Sequence, residues 1–217
     1  MDYRNYDRGY AEPTMSASDY MTRTYRWMAS GLLITFAMAY ITATTPLLYL
    51  VDSLYLVLTI AELALVFVLS SRVQTMSVQG ARATFFGYAL LNGMVLSYYF
   101  LAFSVGELIL AFLSTALYFG LMAVYGTTTH KDLTGWGPRL MMALVAMSVL
   151  YCGIGLVVFM LLTAYDTQKL QQMYSYYAAD AEMAEKASIY GALTLYLDFI
   201  NIFLYVVRLL GNNRRRS

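Results

Sequence analysis

Apolar residues run through this chain in long blocks, not in the alternating or one-faced patterns of a soluble domain. Blocks at about 28–45, 54–71, 83–103, 105–125, 140–165 and 189–210 each approach the roughly 20 residues that a helix needs to cross about 30 Å of hydrocarbon. The pattern predicts an all-α, polytopic membrane bundle. Polar punctuation separates the blocks. Pro46 closes the first and opens a loop over 46–53. Ser104-Val105-Gly106-Glu107 reads as a tight hairpin. The run 178–188 (AADAEMAEKAS) reads as the hairpin between the last two helices. Three regions follow: a polar N-terminal segment at 1–27, a single transmembrane domain at 28–211 and a basic tail at 212–217.

The segment before the first block carries Arg4, Arg8, Arg23 and Arg26 against Asp2, Asp7, Glu12 and Asp19. It is too long and too acidic for a signal peptide, and the block after it reads as a span. Basic residues set the expected orientation. They crowd the N-terminal segment, flank the 72–82 connection as Arg72 and Arg82, and bracket 126–139 as Lys131 and Arg139. Loop 46–53 and the 104–107 turn have none. This alternation places the N-terminus and those two connections in the cytoplasm.

One stretch resists a simple count. Pro138 to Asp166 spans 29 residues, too many for one crossing and too few for two full ones. Read as one crossing, the chain has six spans, and Arg214-Arg215-Arg216 lies on the N-terminal side. Read as two shortened or re-entrant legs meeting near Cys152-Gly153, it has seven, and that tail lies opposite.

Composition agrees with the blocks. Of 217 residues, 60% are hydrophobic and 12% charged, with a net charge of +1. So little charge does not cover a soluble surface of this size, and the balance gives no reason to expect nucleic acid as a partner. One cysteine, Cys152, and one histidine, His130, exclude a disulfide framework and a Cys/His zinc site. The 21 tyrosines include Tyr40, Tyr55, Tyr98, Tyr99 and Tyr125 near expected membrane surfaces, where amphipathic rings are favoured.

Three carboxylates stand in or beside apolar blocks: Glu62, Asp166 and Asp198. Each costs about 2.5–3.5 kcal/mol to insert, so each needs a partner, a proton or water. On a helix, Gly191, Thr194, Asn201 and Tyr205 all fall within about 60° of Asp198, giving a polar stripe at membrane depth. Glu62, Asn201, Thr194 and Tyr205 are therefore candidates for an ion pathway or proton relay. Spacing ties Asp198 to Asp166. Their midpoint, residue 182, falls in the 178–188 hairpin, so two antiparallel helices would set both carboxylates about 15–18 Å in from the loop. Two desolvated carboxylates at one level share a proton, and their second ionisation moves toward neutral pH.

The stretches LTAYDTQKLQQMY (162–174), GALTLYLDFINIFLYVVRLLG (191–211) and YMTRTYRWMASGLL (20–33) resemble the bacterial branch of the transmembrane Bax-inhibitor-motif family, and the likeness covers nearly the whole chain. It implies a seven-span bundle around a central last helix, in the bacterial cytoplasmic membrane. It also implies a pH-sensitive calcium leak, with calcium as the bound or transported ion. The family's two facing aspartates match Asp166 and Asp198, which then serve as pH sensor and as metal-contacting groups. Its arginine that latches to the first aspartate matches Arg72. That contact requires an even number of crossings between 133 and 166. The sequence departs from the family at Met147–Gly153, which reads as a join across roughly 15 to 20 missing residues, about one crossing.

The leading expectation is thus a proton-gated cation leak that is not an enzyme, with the bilayer, protons and calcium as partners and no organic cofactor. Two alternatives stand beside it. Paired intramembrane aspartates are similar to those of presenilin-like aspartyl proteases, but Tyr196-Leu197 precedes Asp198 where those enzymes have Gly-x-Gly, and no Pro-Ala-Leu follows. A non-transporting regulator that binds other membrane proteins is the other.

Overall fold

Short capping residues decide where the helices begin. Ser16 accepts a hydrogen bond from the Asp19 N–H at 3.0 Å, and Ser77 accepts one from Gly80 at 3.1 Å. Ser104 and Glu107 form a reciprocal capping box. Asp180 accepts from the N–H groups of Glu182 and Met183. Each satisfies amide groups that a helix leaves open at its N-terminus. In the computed structural model, which describes residues 15–147 and 152–214, the described residues form eight helices and no strand. They are α1 (Ala17–Thr44), α2 (Leu47–Arg72), α3 (Val78–Leu96), α4 (Tyr98–Ala102), α5 (Val105–Thr128), α6 (Trp136–Met147), α7 (Cys152–Tyr177) and α8 (Ala181–Arg214).

Five segments are long and apolar enough to span a membrane: α1, α2, α3 with α4, α5 and α8. Their outward faces are greasy. On α2, Leu56, Ile60, Leu63 and Phe67 are exposed, and on α5 so are Leu110, Leu113 and Leu117. Such a continuous apolar surface belongs against lipid.

α8 is the axis of the bundle. It packs on α7, α1, α5 and α3, and Ile189, Leu195, Tyr196 and Ile202 on it are wholly buried. At 34 residues it is about 50 Å long, which exceeds the hydrocarbon thickness. α1 runs parallel to it, with Arg23 meeting Glu185 and Thr35 meeting Tyr196.

The stretch 138–166 is two legs, not one crossing. α6 and α7 are antiparallel: Gly137 lies under the Tyr165 ring, and Leu140 packs with Val158 and Leu162. At 12 residues, α6 is about 18 Å long, a shortened leg that leans on α7. The C-terminal part of α7 returns to the face from which α6 departs. There Gln168 accepts from the Leu133 N–H and donates to the Lys131 carbonyl, both at 2.8 Å, and Gln74 donates to Tyr177 at 3.0 Å. The near face of the bundle therefore carries the start of α1 and the connections at 73–77, 129–135 and 178–180. The far face carries Thr45-Pro46, Phe103-Ser104 and the end of α8, where Gly211 lies against Phe103.

Several expected boundaries move. Residues 46–53 are not a loop, because Pro46 is tolerated ahead of the first turn and α2 starts at Leu47. Val105-Gly106-Glu107 is the first turn of α5, not part of a hairpin. Only 178–180 connect α7 to α8; the rest of the expected hairpin is the first part of α8, where Glu185 and Lys186 are buried with partners. α1 begins at Ala17, eleven residues before the apolar block. Arg4, Arg8, Asp2, Asp7, Glu12, part of the Met147–Gly153 join, and Arg215 and Arg216 of the tail lie outside the described residues.

Candidate functional site

The α7–α8 contact fixes one register along its length. Gly155 lies under the Tyr205 ring, and Gly191 lies against Leu170. Between these close approaches, the carboxyl groups of Asp166 and Asp198 come into hydrogen-bonding contact, with the Thr163 hydroxyl beside Asp198. Asp198 is only 5% exposed. Its Oδ2 is buried and has no hydrogen-bond partner among the described residues. Lys169, one turn further along α7, is the cation acting on Asp166; its ammonium also lies 5.8 Å from the centre of the Tyr165 ring.

Other expected site residues fall elsewhere. Arg72 ends α2 exposed to solvent and makes no ion pair among the described residues, so the structure does not bring it to Asp166. Thr194 donates to the Tyr190 carbonyl at 3.2 Å and Asn201 to the Leu197 carbonyl at 2.7 Å. Both spend their donors on their own helix, as hydroxyl and amide side chains do when no better partner is near. Tyr205 packs on Phe159 with ring centres 5.8 Å apart.

Glu62 belongs to a second polar group on the other side of α8. Asn92 donates to it, the Tyr196 hydroxyl donates to the Asn92 Oδ1 at 3.0 Å, and Thr35 lies 2.6 Å from that hydroxyl. This chain joins α2, α3, α8 and α1 through one carboxylate and three neutral side chains. Asn92 and Tyr196 carried no signal in the sequence, since one stands alone in an apolar block and the other is one tyrosine among 21.

Two clefts open on the near face, and Lys169 lines both. One of about 230 Å³ is lined by Gln74, Lys169, Tyr177 and Lys186 among others. A neighbouring one of about 220 Å³ is lined by Thr134, Tyr165, Gln168 and Lys169. On the far face a cleft of about 620 Å³ is lined by Asp52, Tyr55 and Tyr98. Between the two faces, an aromatic cluster packs beside the pair. Phe199, next to Asp198, meets Phe112 and Phe119 with ring centres 5.1 and 5.8 Å away. A cleft of about 30 Å³, room for about one water, is lined there by Leu32, Phe36, Phe112 and Phe203 among others.

No group of three or more His, Cys, Asp or Glu side chains among the described residues is arranged to hold a metal ion. Asp166 and Asp198 supply two carboxylates, fewer oxygens than the six to eight that a tight calcium site uses.

This arrangement of a buried aspartate pair on the last two helices of a membrane bundle is accompanied by a family match. The model of the family described as inhibitor of apoptosis-promoting Bax1 matches residues 17–215. The chain belongs to the Bax inhibitor family. Its relatives include a protein of Deinococcus radiodurans, 44% identical over 211 residues and covering 90% of both chains. The inner membrane protein YbhL of Escherichia coli is 39% identical over 225 residues, covering 94% of this chain and 95% of its own length. A Rickettsia prowazekii protein is 37% identical over 213 residues. The 225-position alignment with YbhL is longer than this 217-residue chain, so some of its positions are gaps here.

Proposed function

We propose that this member of the Bax inhibitor family is a pH-sensitive cation leak, with calcium as its cargo, and that Asp166 and Asp198 are the titrating gate. The observation that supports this reading is the contact between the two carboxyl groups on neighbouring helices, with a buried Asp198 oxygen left without a donor among the described residues. A proton on the pair supplies the missing donor and binds α7 to α8. Removing it leaves two like charges that repel across the same interface. Separation of α7 from α8 then opens an oxygen-lined route suited to a hard cation.

The path has a physical outline. The near-side clefts reach Lys169 beside the pair, and the far-side cleft has Asp52 at its wall. The aromatic cluster around Phe199 divides them, as an apolar constriction does in a closed channel. Lys169 and Arg72 put positive charge on the near-side mouth, which discourages cation entry until the pair ionises. The basic residues on the near face, together with YbhL being an inner membrane protein, favour a bacterial cytoplasmic membrane with the N-terminus in the cytoplasm.

The test is purified protein in liposomes with a calcium dye inside. Calcium influx above that of empty liposomes, rising between mildly acidic and mildly alkaline buffer, is the expected result. Influx equal to empty liposomes at every pH would overturn the leak and leave a non-transporting regulator.

A further inference from the structure

Glu185 lies four residues into α8, at the near face, with only 10% of its side chain exposed. The expected hairpin hid it. Its two oxygens are taken by two arginines from different helices. Arg23 of α1 donates to Oε2, and Arg82 of α3 donates to Oε1 at 2.9 Å. One carboxylate neutralises one guanidinium, so a full positive charge is left over where the two arginines are held side by side.

Both guanidiniums have capacity to spare. An arginine carries five N–H donors in a fixed fork, and each of these spends one on Glu185. The Arg23 and Arg82 side chains are 44% and 45% exposed, so a ligand can reach them. Arg82 also lies over the Trp27 ring, 5.3 Å from its centre. Arg26 is exposed one turn along α1 from Arg23. The other charges nearby do not cancel the surplus: Lys186 and Glu182 pair with each other at 2.7 Å, while Asp19 is exposed and engaged with Ser16.

The level of this cluster in the membrane follows from the sequence. The apolar blocks of α1 and α3 begin at about residues 28 and 83, directly after Trp27 and Arg82. The cluster therefore stands at the headgroup boundary, with an indole where interfacial tryptophans sit. Basic pockets between helices at that level take lipid headgroups, and a guanidinium fork matches the geometry of a phosphate.

We propose that Arg23 and Arg82, preset by Glu185 and flanked by Trp27, form a binding site for the phosphate of an anionic phospholipid in the near-side leaflet. Glu185 has two roles there. It orients the arginines, and it competes with the phosphate for their donors. This gives the proposal a sign that general surface attraction lacks: removing the carboxylate should tighten lipid binding, while removing either arginine should loosen it.

The experiment uses the full-length protein in nanodiscs of phosphatidylcholine titrated with phosphatidylglycerol, with retained lipid read by native mass spectrometry. Arg23→Gln and Arg82→Gln should each weaken retention about fivefold, the worth of one basic residue at an anionic surface. Glu185→Gln should strengthen it, and Arg208→Gln, at the far face, should leave it unchanged. Because both arginines are half-exposed, their variants are expected to fold even if Glu185→Gln does not. Equal retention by wild type and an Arg23→Gln/Arg82→Gln double variant would overturn the proposal. So would equal retention of phosphatidylcholine and phosphatidylglycerol. Full displacement of the lipid by inorganic phosphate would assign the site to a soluble anion and overturn the lipid.

Discussion

Glycines show how differently the same residue acts at two places on one helix. A Cβ at Gly126 of α5 would lie 2.3 Å from the carbonyl oxygen of Ala164 on α7, whereas one at Gly120 meets nothing within 4 Å. Small residues let membrane helices approach backbone to backbone. Gly126→Ala should therefore lower thermal stability by about 1–3 kcal/mol, the usual cost of overpacking. Gly120→Ala should be neutral or stabilising by up to about 1 kcal/mol, because alanine is the better helix former. Melting curves of the two variants in one detergent check the pair; the same shift in both would contradict the packing. At the aspartate pair, Lys169 is the cation beside Asp166, and Arg72 is not. Lys169→Gln removes a charge that favours ionisation, so the rise of flux should move to higher pH. Arg72→Gln should move it less. The two flux profiles, measured side by side, decide which residue acts on the pair.

At the scale of elements, what was legible depended on whether a pattern or a partner fixes the residue. The antiparallel pairing of α7 with α8, and the meeting of Asp166 with Asp198, could be read from spacing alone, because helices of equal rise joined by a short turn place equidistant residues at one depth. The apolar blocks located α1, α2, α3 with α4, α5 and α8 for the same kind of reason, while the block at 140–165 is divided between α6 and α7. Boundaries were less legible. α1 and α8 extend well beyond their apolar blocks, because caps and ion pairs such as Arg23–Glu185 sustain a helix outside lipid, and those partners lie 162 residues apart in sequence. The two legs of 138–166 were ambiguous by length and are resolved by contacts with α7. The Glu62 group was half legible: the acid stood out in its block, while Asn92 and Tyr196 did not. That group also has a structural role. α2 fully buries only Val51 and Leu69, and alongside Leu65 and Val66 packing on the core it is tied to α3 by Glu62–Asn92 and to α4 by Asp52–Tyr98. Asn92→Leu should take away one of the two donors on Glu62, the other being Tyr88, at a cost of about 1–3 kcal/mol. Hydrogen exchange should then quicken in α2 and stay slow in α8; unchanged exchange in α2 would show that the contact does not hold it.

For the whole molecule, the fold places a polar pair at the axis of an apolar bundle and leaves solvent-facing clefts on both sides of an aromatic plug. A membrane protein that only needed stability gains nothing from two facing carboxylates, each expensive at that depth. Their retention makes sense if the bundle has two arrangements and the proton on the pair selects between them. Because α8 contacts most of the other helices, a change at its contact with α7 reaches α1, α3 and α5 without any further switch. The most direct test is calcium flux in liposomes across about pH 5 to 8, which brackets a shared-proton pair, comparing wild type with the Asp166→Asn/Asp198→Asn double variant. The predicted result is flux that rises with pH in the wild type and a flat profile in the double variant, whose amides cannot titrate. A double variant that folds and keeps the wild-type pH profile would contradict the account, since the pair would then not be what senses the proton.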